Sequence, residues 1–568
     1  MPIRTPFRVT ALAVVAALAL SACTAADAER PANTDVQTSD PDAVLTVIAD
    51  ANDHGSSVAT SRELFDASPL VVIAPSGDVD AQELSARAAI GLGVPLLIGP
   101  AAEESDAATT TPSPTPSSSS RTAGEDEGAR ALSAELHRLG ASTAVVVGDV
   151  APLAEEDGDS GLSVKRIDAT ARAVRDATGA AVGQPTASDS AGFAAGIAAF
   201  EPETPSGRHS PKAGTVPRPT PPKALADTLA LAIDGVVQLG SIATARAAGV
   251  PVQLVPEASA NPQATASVID TLHASTTTKT LALGAAFGAE SALEWKVRSA
   301  RSGIQLPGGG QLLFAQHQFV ALYGTPSTGV LGVLGEQDAA GAIQRARDVA
   351  APYSALTDKT VVPMFEIIAT VAAGGPGTDG NYSNELSVDG LRPWVDAAAA
   401  AGLYVVIDLQ PGRTDFLTQA KQYQSLLELP NVGLALDPEW RLGPDQVPLK
   451  QIGSVSAAEV NTVTTWLADL TNAKGLPQKM LVLHQFRPAM ISDRSALDLS
   501  RPEIAVLIHA DGQGSQGAKQ ATWANLHRDA PAGVHWGWKN FYDEDLPMLS
   551  PEQTMGGVSP APDLVTYQ

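Results

Sequence analysis

The sequence predicts an α/β protein in two parts: duplicated parallel α/β modules in the N-terminal half, and a (β/α)8-like barrel, complete or one strand short, from Gln311 onward. Three observations carry this. Short apolar runs alternate with Ala-rich helical stretches, the pattern of parallel strands covered by helices. The order of units between Leu70 and Gly148 returns between Thr228 and Gly284. Beyond Gln311 the units lengthen, and seven strands fit into roughly 250 residues, the usual size of such a barrel. At 568 residues the chain exceeds one domain, and a hydrophobic fraction of 44% suffices for packed cores.

Residues 1–22 read as an export signal. Arg4 and Arg8 precede the apolar stretch Val9–Leu20, whose 12 residues are too few to span a bilayer. The closing Leu20-Ser-Ala-Cys23 resembles the lipobox of bacterial lipoproteins. That implies cleavage before Cys23, lipidation of its thiol, and an extracytoplasmic chain held to the membrane by the lipid alone. Cys23 is the sole cysteine, which leaves no internal disulfide. Residues 23–43 are polar and read as a tether. The Ala, Gly, Pro and Thr content looks actinobacterial. A formal charge of −25, with the acids dispersed, reads as a solubilising surface. It argues against nucleic acid and anionic membrane surfaces as partners.

The first module, residues 44–200, offers a strand at Leu70-Val-Val-Ile-Ala-Pro-Ser-Gly-Asp78, a helix at Asp80–Leu92 and a strand at Gly93–Pro100. A helix at Ala129–Leu139 and a strand at Ala144–Gly148 follow. The run Thr109–Ser120 holds only Thr, Pro and Ser, cannot form a core, and reads as a surface insertion. A Pro-rich linker, residues 201–222, leads to the second module at 223–300. There the strands are Thr228–Gly235, Gly249–Pro256 and Thr280–Gly284, with helices at Leu239–Ala248 and Ala264–His273. Ser76-Gly-Asp78, Leu92-Gly-Val-Pro95, Leu136-His-Arg-Leu-Gly140, Val145-Val-Val-Gly148 and Val164-Lys-Arg-Ile-Asp168, in that order, resemble the cell wall-binding repeat 2 of Gram-positive surface proteins. The resemblance spans residues 56–180 well and 224–290 loosely, with two copies where the family usually carries three. It implies cell-wall polysaccharide or peptidoglycan as the partner.

In the barrel-like part, residues 311–568, the strand candidates are Phe319–Gly324, Val361–Ile368, Leu403–Leu409, Val432–Asp437, Met480–Gln485, Ile504–His509 and Gly533–Trp538. Leu564–Tyr567 is the only candidate for an eighth. Helices are expected at Ala339–Ala350, Ser387–Ala401, Thr414–Leu429, Ser456–Ala473 and Lys519–Arg528. A doubly wound open sheet is the competing arrangement. The strand ends are unusually polar. They carry Tyr323, Glu366, Asp408 with Gln410 and Arg413, Asp437 with Glu439, His484 with Gln485 and Arg487, His509 with Asp511, and Lys539 with Asn540. In a barrel these ends meet at one mouth.

Along Val432–Asp437 the large side chains alternate with Gly433, Ala435 and Asp437, which places the acid on the interior face. Glu439 shares that parity, and the two carboxylates stand roughly 7 Å apart along an extended chain. Val432-Gly-Leu-Ala-Leu-Asp-Pro-Glu-Trp440 resembles the fourth strand of chitinase-like barrel glycosidases, which ends Asp-x-Asp-x-Glu; Ala435 stands where the family has its first Asp. The resemblance implies Glu439 as the acid and Asp437 as its support. Asp408 and Glu366 complete the candidate catalytic set. Tyr323, Gln410, Arg413, Gln485, Asp511, Trp536 and Trp538 are expected to bind substrate, since sugars stack on aromatic faces and bond to amides. No acid ends the seventh strand, so a non-catalytic envelope scaffold is the alternative. A metal-dependent hydrolase is a second alternative, using His484, His509 and Asp511 with Asp408 or Asp437. No His-x-His closes the first strand, His317 standing alone before it, and neither a metal nor a cofactor is assigned. Thiol catalysis is excluded by the lone lipidated cysteine, and no Gly-x-Ser-x-Gly elbow occurs in the C-terminal half.

Overall fold

The computed structural model describes residues 35–102, 123–154, 161–183, 190–202, 216–256 and 259–568. The export signal, Cys23, residues 23–34 of the tether, the Thr109–Ser120 insertion and residues 203–215 of the linker lie outside the described residues.

Among the described residues, the N-terminal half holds two four-stranded parallel sheets and a short antiparallel pair, Gln37–Thr38 with Phe65–Ala67. The run Leu70–Pro75 is buried along its whole length, as a strand covered on both faces must be. The helix after it, Val79–Leu92, begins where the Asp78 side chain accepts from Ala81 N and ends at Gly93, whose φ of 69° suits glycine. In space the first sheet runs Leu96–Gly99, Leu70–Pro75, Thr143–Val147, Ser163–Ile167. The second runs Val252–Val255, Thr228–Ile233, Lys279–Leu283, Leu45–Ile48. The strand order is the same in both, except that the fourth place of the second sheet is filled from far upstream. Leu45–Ile48 pairs in parallel with Thr280–Leu283, before the chain has built any of the first sheet.

The helices Asp53–Leu64, Val79–Leu92 and Leu239–Ala247 meet in one apolar core that serves both sheets. The fit is close: a Cβ on Gly240 would come within 3.0 Å of Ser57 Cβ. Polar groups cross the seam in pairs. Leu96 N donates to Thr244 Oγ1 at 3.1 Å, and the hydroxyls of Ser56 and Ser241 stand 2.6 Å apart.

The C-terminal half is a closed barrel of eight parallel strands. They are β1 (His317–Gly324), β2 (Thr360–Ala372), β3 (Tyr404–Leu409), β4 (Val432–Leu436), β5 (Lys479–Gln485), β6 (Ile504–Ala510), β7 (His535–Asn540) and β8 (Leu564–Tyr567). Each pairs with the next, and β8 pairs with β1 through Phe319 and Leu564. Closure settles the choice against an open sheet or a barrel lacking its last strand. Helices follow most strands; between β5 and β6 there is no α-helix, only the single 3-10 turns Pro488–Met490 and Arg494–Ala496 and the two-residue strand Ile491–Ser492. The expected helix at Thr414–Leu429 is broken at Tyr423 into Phe416–Gln422 and Gln424–Leu427.

Alternation along the strands separates two cores. Val432, Leu434 and Leu436 face outward with Val405, Ile407, Leu481 and Leu483, under the helices. Phe319, Met364, Tyr404, Val406, Ala435, Met480, Val482, Leu507 and Leu564 fill the interior. Gly433 makes room for that filling, since a Cβ there would stand 3.0 Å from Tyr404 Oη and 2.7 Å from Met480 O. Trp295, on the helix Leu293–Ser302, donates from Nε1 to Leu476 O at 3.2 Å and joins the second sheet's last helix to the barrel. No helix among the described residues is long and apolar enough to cross a membrane.

Candidate active site at the barrel mouth

The interior face changes character toward the C-terminal ends of the strands. After the apolar filling, the next inward positions are Tyr323, Glu366, Asp408, Asp437, His484, His509, Lys539 and Thr566, one from each strand or the residue after it. All eight are buried. Above them, Pro438 ends β4, and Pro438–Trp440 turns as a single 3-10 turn in which Asp437 Oδ1 accepts from Glu439 N at 3.3 Å. Asp437 and Glu439 are therefore not two positions of one strand, as their parity suggested. The turn nevertheless keeps them together at the same end, with Glu439 half-buried.

The ring is a connected network. Tyr323 Oη donates to Asp408 Oδ2 at 2.8 Å. His484 Nε2 donates to Glu366 Oε1 at 2.8 Å and lies 3.9 Å from Asp408 Oδ1. On its other side, His484 Nδ1 stands 3.2 Å from His509 Nδ1 and 3.3 Å from Asp511 Oδ2. His509 Nε2 and Thr566 Oγ1 are 3.0 Å apart. The Lys539 ammonium sits 3.5 Å above the centre of the Tyr323 ring. Within this network Glu366 Oε2, Asp408 Oδ1 and Asp511 Oδ1 are buried without a hydrogen-bond partner among the described residues.

Burial and crowding set the charges apart. Burial pushes the Asp437 carboxyl well above the usual carboxylate range, and Asp408, Asp511 and Glu439 push the same way against His484. Burial also raises Glu439, with Asp511 adding to it and Lys539 opposing. Asp408 rises by burial too, against the pull of His484. For His484, burial works downward, but Glu366, Asp408 and Asp511 together hold the imidazole well above its ordinary value. His509 goes the other way, pressed down by burial and then by the charges of His484 and Lys539. Two adjacent imidazoles drawn in opposite directions, one toward its charged and one toward its neutral form, and carboxyls shifted toward the proton make a site suited to giving and taking protons.

No protein-family model matches the chain, and no curated protein matches it. Among solved structures, Cwp6 from Clostridium difficile aligns at 11% identity with a TM-score of 0.27, covering 78% of this chain and 63% of that one. Cwp8 from Clostridium difficile aligns at 14% identity with a TM-score of 0.18, covering 76% and 52%. The chain thus spans less than two thirds of either neighbour. Similarity at this level establishes neither a shared fold nor a shared activity.

Of the residues expected at the site, Glu366, Asp408, Asp437, Glu439, Asp511 and Tyr323 are brought together, with His484, His509 and Lys539 of the polar strand ends. Gln410, Arg413, Gln485, Trp536 and Trp538 are not. Trp536 and Trp538 alternate with Gly537 and Lys539 and so point out of the barrel, into an apolar cluster with Trp523 and Leu526 of the helix Gln516–His527. Trp536 is stacked on His527 there, ring centres 3.5 Å apart, instead of offering a face to a sugar. Gln485 likewise falls on the outward parity of β5, its amide 3.4 Å from the carbonyls of Arg487 and Pro488. Gln410 accepts from Ala372 N at 3.0 Å, and Arg413 donates to Gln446 O at 3.0 Å while lying over the Tyr382 ring. Both brace loops. Thr566 was not anticipated in the ring, nor was the buried pair Lys519–Asp545 beside it; the inward parity of Thr566 was the one signal available.

Proposed function

We propose that the barrel hydrolyses envelope glycan, with Glu439 as the proton donor. In this reading the lipid on Cys23 keeps the chain outside the cell, and the N-terminal modules hold it against cell-wall polysaccharide or peptidoglycan. The observation that supports it best is the half-open Glu439 carboxyl above a ring of buried carboxyls. Its own burial and Asp511 hold the proton on Glu439 toward neutral pH, as a glycosidic leaving oxygen requires. Asp437 lies beneath it and repels a charge on it. Asp408 and Glu366 hold Tyr323 and His484 in place. A second reading, binding without cleavage, is favoured by the buried Ala435 in place of an acid and by Lys539 where a seventh-strand acid would stand.

Oligosaccharide or muropeptide release from purified wall decides between them. Glu439→Gln keeps the shape and removes the transferable proton, and release should fall by about 10²–10⁴-fold. Equal release by both proteins, or none by either, rules out the catalytic reading.

A further inference from the structure

His484 and His509 occupy paired positions on the adjacent strands β5 and β6. Their far nitrogens are each held from behind, His484 Nε2 by Glu366 Oε1 at 2.8 Å and His509 Nε2 by Thr566 Oγ1 at 3.0 Å. When each Nε2 donates to its partner and His484 is neutral, both Nδ1 atoms face the space between the rings as acceptors, 3.2 Å apart. Two nitrogens at that distance need a proton or a metal ion between them. Asp511 Oδ2 reaches the same space, 3.3 Å from His484 Nδ1. The other oxygen, Asp511 Oδ1, is buried and has no hydrogen-bond partner among the described residues, and neither has Glu366 Oε2.

We propose that His484 Nδ1, His509 Nδ1 and the Asp511 carboxylate bind one divalent transition-metal ion, with Glu366 and Thr566 fixing the two imidazoles from behind. An ion about 2.0–2.1 Å from both nitrogens, the usual zinc–imidazole distance, spans their 3.2 Å separation at an angle of about 100°, near tetrahedral. A carboxylate behind one ligating histidine is the arrangement that fixes ring orientation and raises ligand basicity in metal centres. Two imidazoles and a carboxylate suit zinc, and leave a fourth position that these side chains do not fill. Glu366, His484 and His509 each offer an atom within 4.8 Å of the other two, which keeps them in one buried cluster. Ligation needs both Nδ1 atoms unprotonated, so zinc affinity falls as pH is lowered.

The test uses the purified full chain, free of any tag, stripped with a chelator and titrated with Zn2+ by calorimetry, with metal content counted after dialysis. One zinc per chain is expected. Reloading with Co2+ should give the intense visible absorption bands of a four-coordinate site. His509→Gln should weaken zinc binding at least 100-fold, and Thr566→Val, which touches only the back of a ligand, about 10-fold. Less than a tenth of a zinc per chain, or no cobalt bands in the wild-type protein, overturns the proposal without reliance on any variant; so does unchanged affinity in a folded His509→Gln. The metal count is independent of glycan release, so either reading can fail while the other stands.

Discussion

Lys479, the first residue of β5, faces outward and is fully buried, with Nζ 2.7 Å from Leu429 O and 2.8 Å from Val432 O. Burial brings its pKa down from 10.5 to about 7. The two carbonyl acceptors match the two N–H bonds of a neutral amine, so the uncharged form is fully satisfied. The unfolded chain keeps the proton up to 10.5, while the folded chain keeps it only to about 7. Between those values unfolding takes up a proton, and stability rises with pH. The contribution is fully present above 10.5 and is lost as pH falls through about 7. The slope from this residue is at most about 1.4 kcal/mol per pH unit. Thermal or urea unfolding between pH 7 and 9 should show that rise in the wild-type protein and lose it in Lys479→Met. The variant also strands two carbonyls, which lowers stability at every pH but leaves the slope as the diagnostic. Equal slopes would remove Lys479 as the cause. The same outward parity was readable at Trp536, Trp538 and Gln485. Nearness to a strand end suggested a mouth position for all three, whereas counting by twos from the inward Gly537 or His484 puts them outside. Parity was legible in the sequence, and it outranks proximity.

At the scale of elements, the loops after β6 and β7 are held as a unit by a buried pair that no sequence pattern announces. Lys519, on the helix between these strands, donates to Gly512 O at 2.8 Å and to Lys539 O at 2.7 Å. Its Nζ stands 2.9 Å from Asp545 Oδ2. Asp545 in turn accepts from Gly514 N at 3.1 Å and from Phe541 N at 3.0 Å. The run that carries Asp511 is thereby fixed to the end of the strand that carries Lys539. Partners 26 positions apart in the chain, joined across two strands, are set by tertiary geometry and leave no local periodicity to read. Lys519→Met leaves Asp545 buried and charged without its partner, and should cost about 3–5 kcal/mol in urea denaturation. Adding Asp545→Asn removes the stranded charge and should recover a measurable part of the loss. A double variant no more stable than the single one would mean that the pair is not coupled in this way.

For the whole molecule, the decisive feature is connectivity. Strand–helix alternation and interior parity made the barrel legible, down to Leu564–Tyr567 as the closing strand, because each unit is encoded locally. The fourth strand of the second sheet was not legible. Leu45–Ile48 is only four residues, and nothing local tells it to pair with Lys279–Leu283 in place of the nearer first sheet. The consequence is a chain whose described N-terminal end is built into the sheet completed last. Leu45 and Val47 lie against the outer apolar cluster of that sheet, beside Leu229, Leu231 and Phe287, while Ile48 enters the core shared by both sheets. A charge at position 47 therefore acts at a distance along the chain. Val47→Asp places a carboxylate against that cluster and disturbs the strand bonded to Thr280–Leu283. Amide hydrogen exchange should then speed up by about 10-fold or more in Thr228–Ile233 and Lys279–Leu283, as local opening becomes easier by about 1.4 kcal/mol or more. The neighbouring first-sheet strand Leu70–Pro75, although closer in sequence, should change less, and the barrel strands least. Loss of protection confined to the first sheet would contradict the pairing; loss spread evenly over both sheets would mean that their common core opens as one unit.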